Sequence, residues 1–242
     1  MLFRSTNTSG SISSQVSANP TNGFSVVTYT GNGSASQSVG HGLGVAPSMV
    51  IIKCRGTAAT HWPVYHTGGG SSPVVFLDLT NAGTSGATYY SAAPTSTVIN
   101  LGTTPDGDVN GSSRTYVAYC WAAIPGFSAF GSYTGNGSTD GPFVFCGFRP
   151  RWIMLKRTDA SGEGWLMYDS VRGGFNPNNY DFFANNSNAE DTSAPGVNTN
   201  GLGDILSNGF KIRSYAGSNN TSGGTYIFAA FADVPFKYAR GR

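Results

Sequence analysis

The chain has 242 residues, of which 34 are Gly, 29 Ser, 23 Thr and 19 Asn, while only 11% are charged and the net charge is +2. Globular chains average roughly 25% charged residues, and a helical bundle draws on Ala, Leu, Glu and Lys at a 3.6-residue period, so this composition excludes one. The 39% apolar and 13% aromatic residues exclude general disorder, because they suffice to bury a core. What remains is an all-β chain whose solvent face carries Ser, Thr, Asn and Gly in place of charge.

In chain order, residues 1–21 stand apart as an N-terminal segment that is linking or truncated, and the native start is expected further upstream. Phe24 to Thr30 is rich in β-branched and aromatic residues and predicts a strand, with Gly31-Asn32-Gly33 as a tight hairpin turn behind it. Ser48 to Lys53 is an almost continuous apolar run, as expected of a strand buried on both faces. Further strands are predicted at Trp62–His66, Val74–Leu79 and Ser96–Leu101. Thr115 to Ala123 alternates cleanly, with Tyr116, Ala118 and Cys120 on one face and Val117, Tyr119 and Trp121 on the other. Trp152–Lys156, Trp165–Asp169 and Phe210–Arg213 follow. Asn176 to Gly201 is polar and without period, so it predicts a long loop, the kind of segment that carries binding surfaces.

The chain repeats itself. Tyr29-Thr30-Gly31-Asn32-Gly33-Ser34 recurs letter for letter at Tyr133 to Ser138. Gly23-Phe24-Ser25 recurs as Gly126-Phe127-Ser128, Pro47 to Lys53 as Pro150 to Lys156, and Trp62 to Tyr65 as Trp165 to Tyr168. Thr115-Tyr116-Val117 returns as Thr225-Tyr226-Ile227. These matches place the repeats at 22–125 and 126–242. Short strands separated by Gly-rich turns predict a lectin-like β-sandwich or jelly roll in each.

Four segments resemble a known family: Tyr133 to Val144 (Tyr-Thr-Gly-Asn-Gly-Ser-Thr-Asp-Gly-Pro-Phe-Val), Gly147 to Pro150 (Gly-Phe-Arg-Pro), Ser207 to Arg213 (Ser-Asn-Gly-Phe-Lys-Ile-Arg) and Pro235 to Arg240 (Pro-Phe-Lys-Tyr-Ala-Arg). They are similar to a repeat at the C-terminal ends of large, tail-fibre-like virion proteins of marine tailed bacteriophages, whose role is inferred largely from genome context. The similarity covers residues 11–242. It implies a phage structural protein displayed on the particle, and it brings no catalytic set.

Several chemistries are weighed against plainer roles. The only basic cluster of note is Arg149, Arg151, Lys156 and Arg157, so the footprint of a nucleic-acid binder is missing. No apolar run approaches the roughly 18 residues of a membrane span, and Met1 to Gly10 lacks the apolar stretch of a signal peptide. Cys54, Cys120 and Cys146 are odd in number and sit in apolar stretches, as buried small hydrophobes do. His41, His61 and His66 all lie in the first repeat; His66 is replaced by Asp169 in the second, which argues against a metal site. Asp106-Gly107-Asp108 reads as a turn, since it lacks the spacing of a calcium loop. Lys53 and Lys156 read as charges closing a buried strand.

Aromatic rings stack on the CH faces of sugars while Asn and Asp fix the hydroxyls. Trp62, Tyr65, Trp165 and Tyr168, with Asn178, Asn179, Tyr180 and Asp181 in the polar loop, are therefore the candidate ligand-binding residues. The repeated tryptophans equally suit core positions that each copy needs. The loops Gly56–Thr60 and Asp159–Gly164 break the repeat and are further candidates. Expected, then, is a non-enzymatic virion protein on the tail or particle surface, without cofactor or metal. It would be a homotrimer bound to other virion proteins and to a host-surface glycan or receptor. The alternatives are a capsid decoration or other virion structural protein without a receptor role, and a surface-polysaccharide depolymerase using carboxylates such as Asp78 and Asp169.

Overall fold

The computed structural model describes residues 5–56, 60–70, 73–103, 107–172, 175–190 and 201–233. Outside them lie Asp106, the middle of the Gly56–Thr60 loop, residues 191–200 of the polar loop, and the segment Pro235–Arg240. The chain divides into two units, Met1–Leu77 with Thr84–Ala123, and Asp78–Gly83 with Ile124–Arg242.

The first unit holds β1 (Ser5–Asn7), β2 (Ser14–Asn19), β3 (Phe24–Thr30), β4 (Gln37–Gly40), β5 (Met49–Cys54), β6 (Pro63–His66), β7 (Val74–Phe76), β8 (Val98–Leu101) and β9 (Thr115–Trp121). Seven of them form one antiparallel sheet in the order β1-β2-β3-β9-β5-β6-β7, and β4 pairs with β8 in a second, smaller sheet. Alternation decides which residues reach the core: Tyr116, Ala118 and Cys120 of β9 are buried, and Val117, Tyr119 and Trp121 are half-buried on the other face. They join Val27, Val50 and Ile52 of the large sheet with Val39, Ile99 and Leu101 of the small one in a single cluster. Between β2 and β3 the chain makes one 3₁₀ turn, with the Asn19 side chain accepting from the Asn22 N–H and Gly23 closing it at φ +65°. Residues 5–21, set apart in the sequence, thus supply two strands of this sheet.

The second unit holds β10 (Ser128–Thr134), β11 (Phe143–Phe145), β12 (Pro150–Arg157), β13 (Trp165–Asp169), β14 (Phe182–Phe183), β15 (Gly203–Leu206), β16 (Gly209–Ile212) and β17 (Thr225–Ala232). Its sheets run β10-β17-β12-β13-β14 and β11-β16-β15. Ile153, Leu155, Leu166 and Tyr168 of the larger sheet pack with Val144, Ile205, Phe210 and Ile212 of the smaller. The all-β expectation holds, and each unit has two layers of unequal size. The described strands do not form the paired four-stranded leaves of a jelly roll. All three cysteines are free and buried.

The identical hexapeptides do not make hairpin turns. β3 and β10 pair with β9 and β17, while the strands after them, β4 and β11, belong to the smaller sheets. The Gly-Asn-Gly turn instead carries the chain from one layer to the other, and a distant asparagine holds it. In the second unit Asn136 N donates to Asn220 Oδ1 at 2.9 Å, and Asn220 Nδ2 donates to Asn136 Oδ1 at 3.1 Å and to Ser138 O at 2.8 Å. The first unit repeats this with Asn32, Asn110 and Ser34. A Cβ on Gly31 would lie 2.5 Å from Gly111 O, and one on Gly135 lies 2.3 Å from Thr221 O, so only glycine fits against these loops. Beside each turn two tyrosines stack at 5.0 Å, Tyr29 on Tyr116 and Tyr133 on Tyr226. The hydroxyls of Tyr29 and Tyr133 donate to Val109 O and Asn219 O, both at 2.7 Å.

Candidate functional site

The site is built where β13 ends. Asp169 Oδ1 accepts from the N–H groups of Val171 and Arg172, both at 2.9 Å, so the chain turns sharply there. Burial alone would push the Asp169 carboxyl up, but the hydrogen bonds from Arg172 and Val171 outweigh it and hold it below the usual carboxylate range. The Arg172 guanidinium bonds Asp169 and Glu190 and lies 3.7 Å from the Phe182 ring centroid. Asn176 and Asn178 then fasten the returning chain to β15. Asn178 exchanges main-chain hydrogen bonds with Gly203, and the Asn176 side chain bonds both the N–H and the C=O of Ile205. Asn178 Nδ2 donates to Asp169 O at 2.7 Å.

These bonds leave a cavity of about 210 Å³ lined by Arg149, Ser170, Phe175, Asn176, Asn178 and Ile205. Two buried side-chain oxygens among its lining residues, Ser170 Oγ and Asn178 Oδ1, have no hydrogen-bond partner, although Asn178 is only 2% exposed. An unmet buried polar atom costs about 1–3 kcal/mol, so the amide oxygen of Asn178 calls for a donor and the Ser170 hydroxyl for a partner of either kind. Arg149 gives one N–H of its guanidinium to Asp233 at 2.8 Å, and Arg151 reaches the same carboxylate at 3.2 Å. The Phe175 ring is 88% exposed.

A wider depression in the first unit, about 480 Å³, is lined by Gln15, Thr28, Tyr29, Arg55 and Tyr116 among others. Its tyrosine hydroxyls are already bonded to Val109 O and Gly107 O. None of the orphaned oxygens lies among its described lining residues.

Of the eight residues expected to bind, only Asn178 lines the cavity. Trp165 is 2% and Tyr168 0% exposed, and Tyr65 is buried against Tyr90. Stacking needs an open ring face, so these three are core residues, a correction to the platform expectation. Trp62 is half-buried, with Lys53 Nζ 5.3 Å from its ring centroid. Asn179 bonds Pro177 O, Tyr180 is half-buried, and Asp181 is buried near Tyr168, whose ionisation it opposes after burial itself. The polar loop is not without structure either, since β14 within it pairs with β13. Arg149, Ser170, Phe175 and Ile205 escaped the sequence reading. Arg149 sits both in the Gly-Phe-Arg-Pro segment and in the short basic cluster, the two available signals.

The remaining candidates brace the fold. His41 Nε2 bonds Thr95 O while Nδ1 accepts from Leu43 N, and burial pushes its pKa down. His66 Nδ1 accepts from Gly68 N, and Asp108 accepts from His61 N. Asp159 holds Arg157 through two bonds of 3.0 Å. No three His, Cys, Asp or Glu side chains converge among the described residues, and none of the described helices is long and apolar enough to cross a membrane.

Fold and site together define a duplicated all-β protein with a small polar cavity at the end of one sheet. The chain belongs to the family described as Domain of unknown function (DUF7483), which it matches over residues 3–235. No curated protein and no solved structure matches it.

Proposed function

We propose that this protein is a structural component of a phage virion, a tail-fibre-like module that binds a host-surface glycan. The observation that carries the binding reading is the cavity with its two orphaned oxygens. Sugar hydroxyls donate to Asn178 Oδ1 and Ser170 Oγ, Arg149 donates to a sugar oxygen, and the open Phe175 ring offers an apolar face to the CH groups. The virion reading rests on the resemblance of the Tyr133–Val144, Gly147–Pro150 and Ser207–Arg213 segments. A scaffold braced at both repeats by buried asparagines and tyrosines suits a protein that must stay folded outside the cell. Side-by-side trimerisation and attachment to other virion proteins belong to the same reading.

The test is to add the free protein to host cells before infection. Binding to cells and fewer infections are expected, both lost in Phe175→Ala. Failure to bind or compete, together with high copy number on heads, would instead mark a decoration protein. Release of reducing sugar from host polysaccharide would mark a depolymerase.

A further inference from the structure

The cavity's chemistry narrows its ligand, granted the glycan reading above. Its volume of about 210 Å³ is below the roughly 300–1,000 Å³ of pockets that enclose drug-sized molecules, so it holds one sugar ring rather than a stretch of polymer. Asn178 Oδ1 is an acceptor only. A fully deprotonated oxyanion such as sulfate would set acceptor against acceptor there, so the ligand must bring hydroxyl donors.

Among the described residues, Arg149 is the only charged side chain lining the cavity. Its bond to Asp233 uses Nη1, and a guanidinium has five N–H donors in a planar fork that matches a carboxylate. Asp233 is shared with Arg151, so one carboxylate faces two guanidinium groups and the local balance stays positive. The nearest acid on β13, Asp169, is turned into its bonds with Val171 and Arg172 and does not oppose an incoming anion.

We infer that the cavity selects a single terminal six-carbon sugar bearing a carboxylate, a uronic acid. The carboxylate pairs with Arg149, the ring hydroxyls donate to Asn178 Oδ1 and Ser170 Oγ, and Phe175 covers one face.

Titration followed by NMR with methyl glucuronide, methyl glucoside and inorganic sulfate tests this. The glucuronide is expected to bind about tenfold or more tightly than the glucoside, the worth of one charge-assisted hydrogen bond, and sulfate not to bind. Arg149→Gln should equalise the two sugars, and Ser170→Ala and Phe175→Ala should weaken both. Equal affinity of the wild-type protein for both sugars overturns the uronic acid assignment and leaves the glycan reading standing. Absence of binding by either sugar overturns both. Sulfate binding as tight as glucuronide overturns the donor argument. Phe175 is a surface residue, so its variant reports on the site even where a buried substitution unfolds the chain.

Discussion

Asn32 and Asn110, 78 residues apart, hold each other by two hydrogen bonds: Asn32 N donates to Asn110 Oδ1 at 3.0 Å, and Asn110 Nδ2 donates to Asn32 Oδ1 at 3.3 Å. The second unit repeats the arrangement with Asn136 and Asn220. Asn220, fully buried, also donates to Ser214 O at 2.7 Å. Asn220→Ala should therefore destabilise the protein by about 2–4 kcal/mol in chemical denaturation. Asn220→Asp should cost more, because a carboxylate has no N–H to give and would face the carbonyls of Ser138 and Ser214.

Alkaline pH should unfold the protein through its tyrosines. Burial raises the pKa of Tyr29, Tyr90, Tyr133 and Tyr168 well above 10.0, and Tyr116 reaches about 12. Above pH 10 the unfolded chain loses these protons while the folded chain keeps them. Stability is therefore fully present below pH 10 and falls as pH rises further, by about 1.4 kcal/mol per unit for each such tyrosine. Denaturation midpoints across pH 8–11, read beside phenolate absorbance, check this; a midpoint flat above pH 10 would contradict it.

Lys156 acts with the opposite sign. Its ammonium is wholly buried and bonds Arg157 O and Glu163 O, both at 2.9 Å, and Thr80 O at 3.5 Å. Burial lowers its pKa from 10.5 to about 8. Between those values the unfolded chain holds the extra proton, so this residue makes stability rise with pH until the tyrosines reverse the trend. Lys156→Met leaves its three carbonyls without that donor and should cost about 1–3 kcal/mol. Faster amide exchange at Gly83 and Gly162, whose N–H groups bond Thr158 O and Thr80 O, should accompany it.

β11 offers a test of register. Val144 faces the core at 6% exposure, while its neighbour Phe145 is 67% exposed. Val144→Ser should cost about 2–4 kcal/mol, and Phe145→Ser should stay within about 0.5 kcal/mol. Equal losses in denaturant titrations would refute this alternation.

Alternating hydrophobicity was legible wherever it was dense. β9 carries it from Thr115 to Trp121 and its facing was readable from it, whereas β3 was legible as a β-branched and aromatic run, β5 and β12 as continuous apolar runs, and β17 only as the second copy of Thr115-Tyr116-Val117. β1 and β2 were not legible, because Ser14-Gln-Val-Ser-Ala-Asn offers one large apolar residue, Val16, and the strand exists through its backbone ladder with β3. The Gly-Asn-Gly turn misled because its partner asparagine is remote in sequence, and local turn statistics cannot see it. The cavity was half legible: the polar loop pointed to Asn178, but Arg149 and Ser170 come from strand ends that only the fold brings beside it. The alternative that the repeated tryptophans hold core positions fits Trp165, which is 2% exposed, but not its counterpart Trp62, which is half-buried.

The segment Asp78–Gly83 lies within the first repeat by sequence but within the second unit by structure. Gene dissection at the repeat boundary would thus yield a C-terminal fragment missing one of its own pieces, with the carbonyl of Thr80 lost to Lys156. During translation that piece emerges before the rest of its unit, so it must wait, undocked, until β12 and the loop after it have been made.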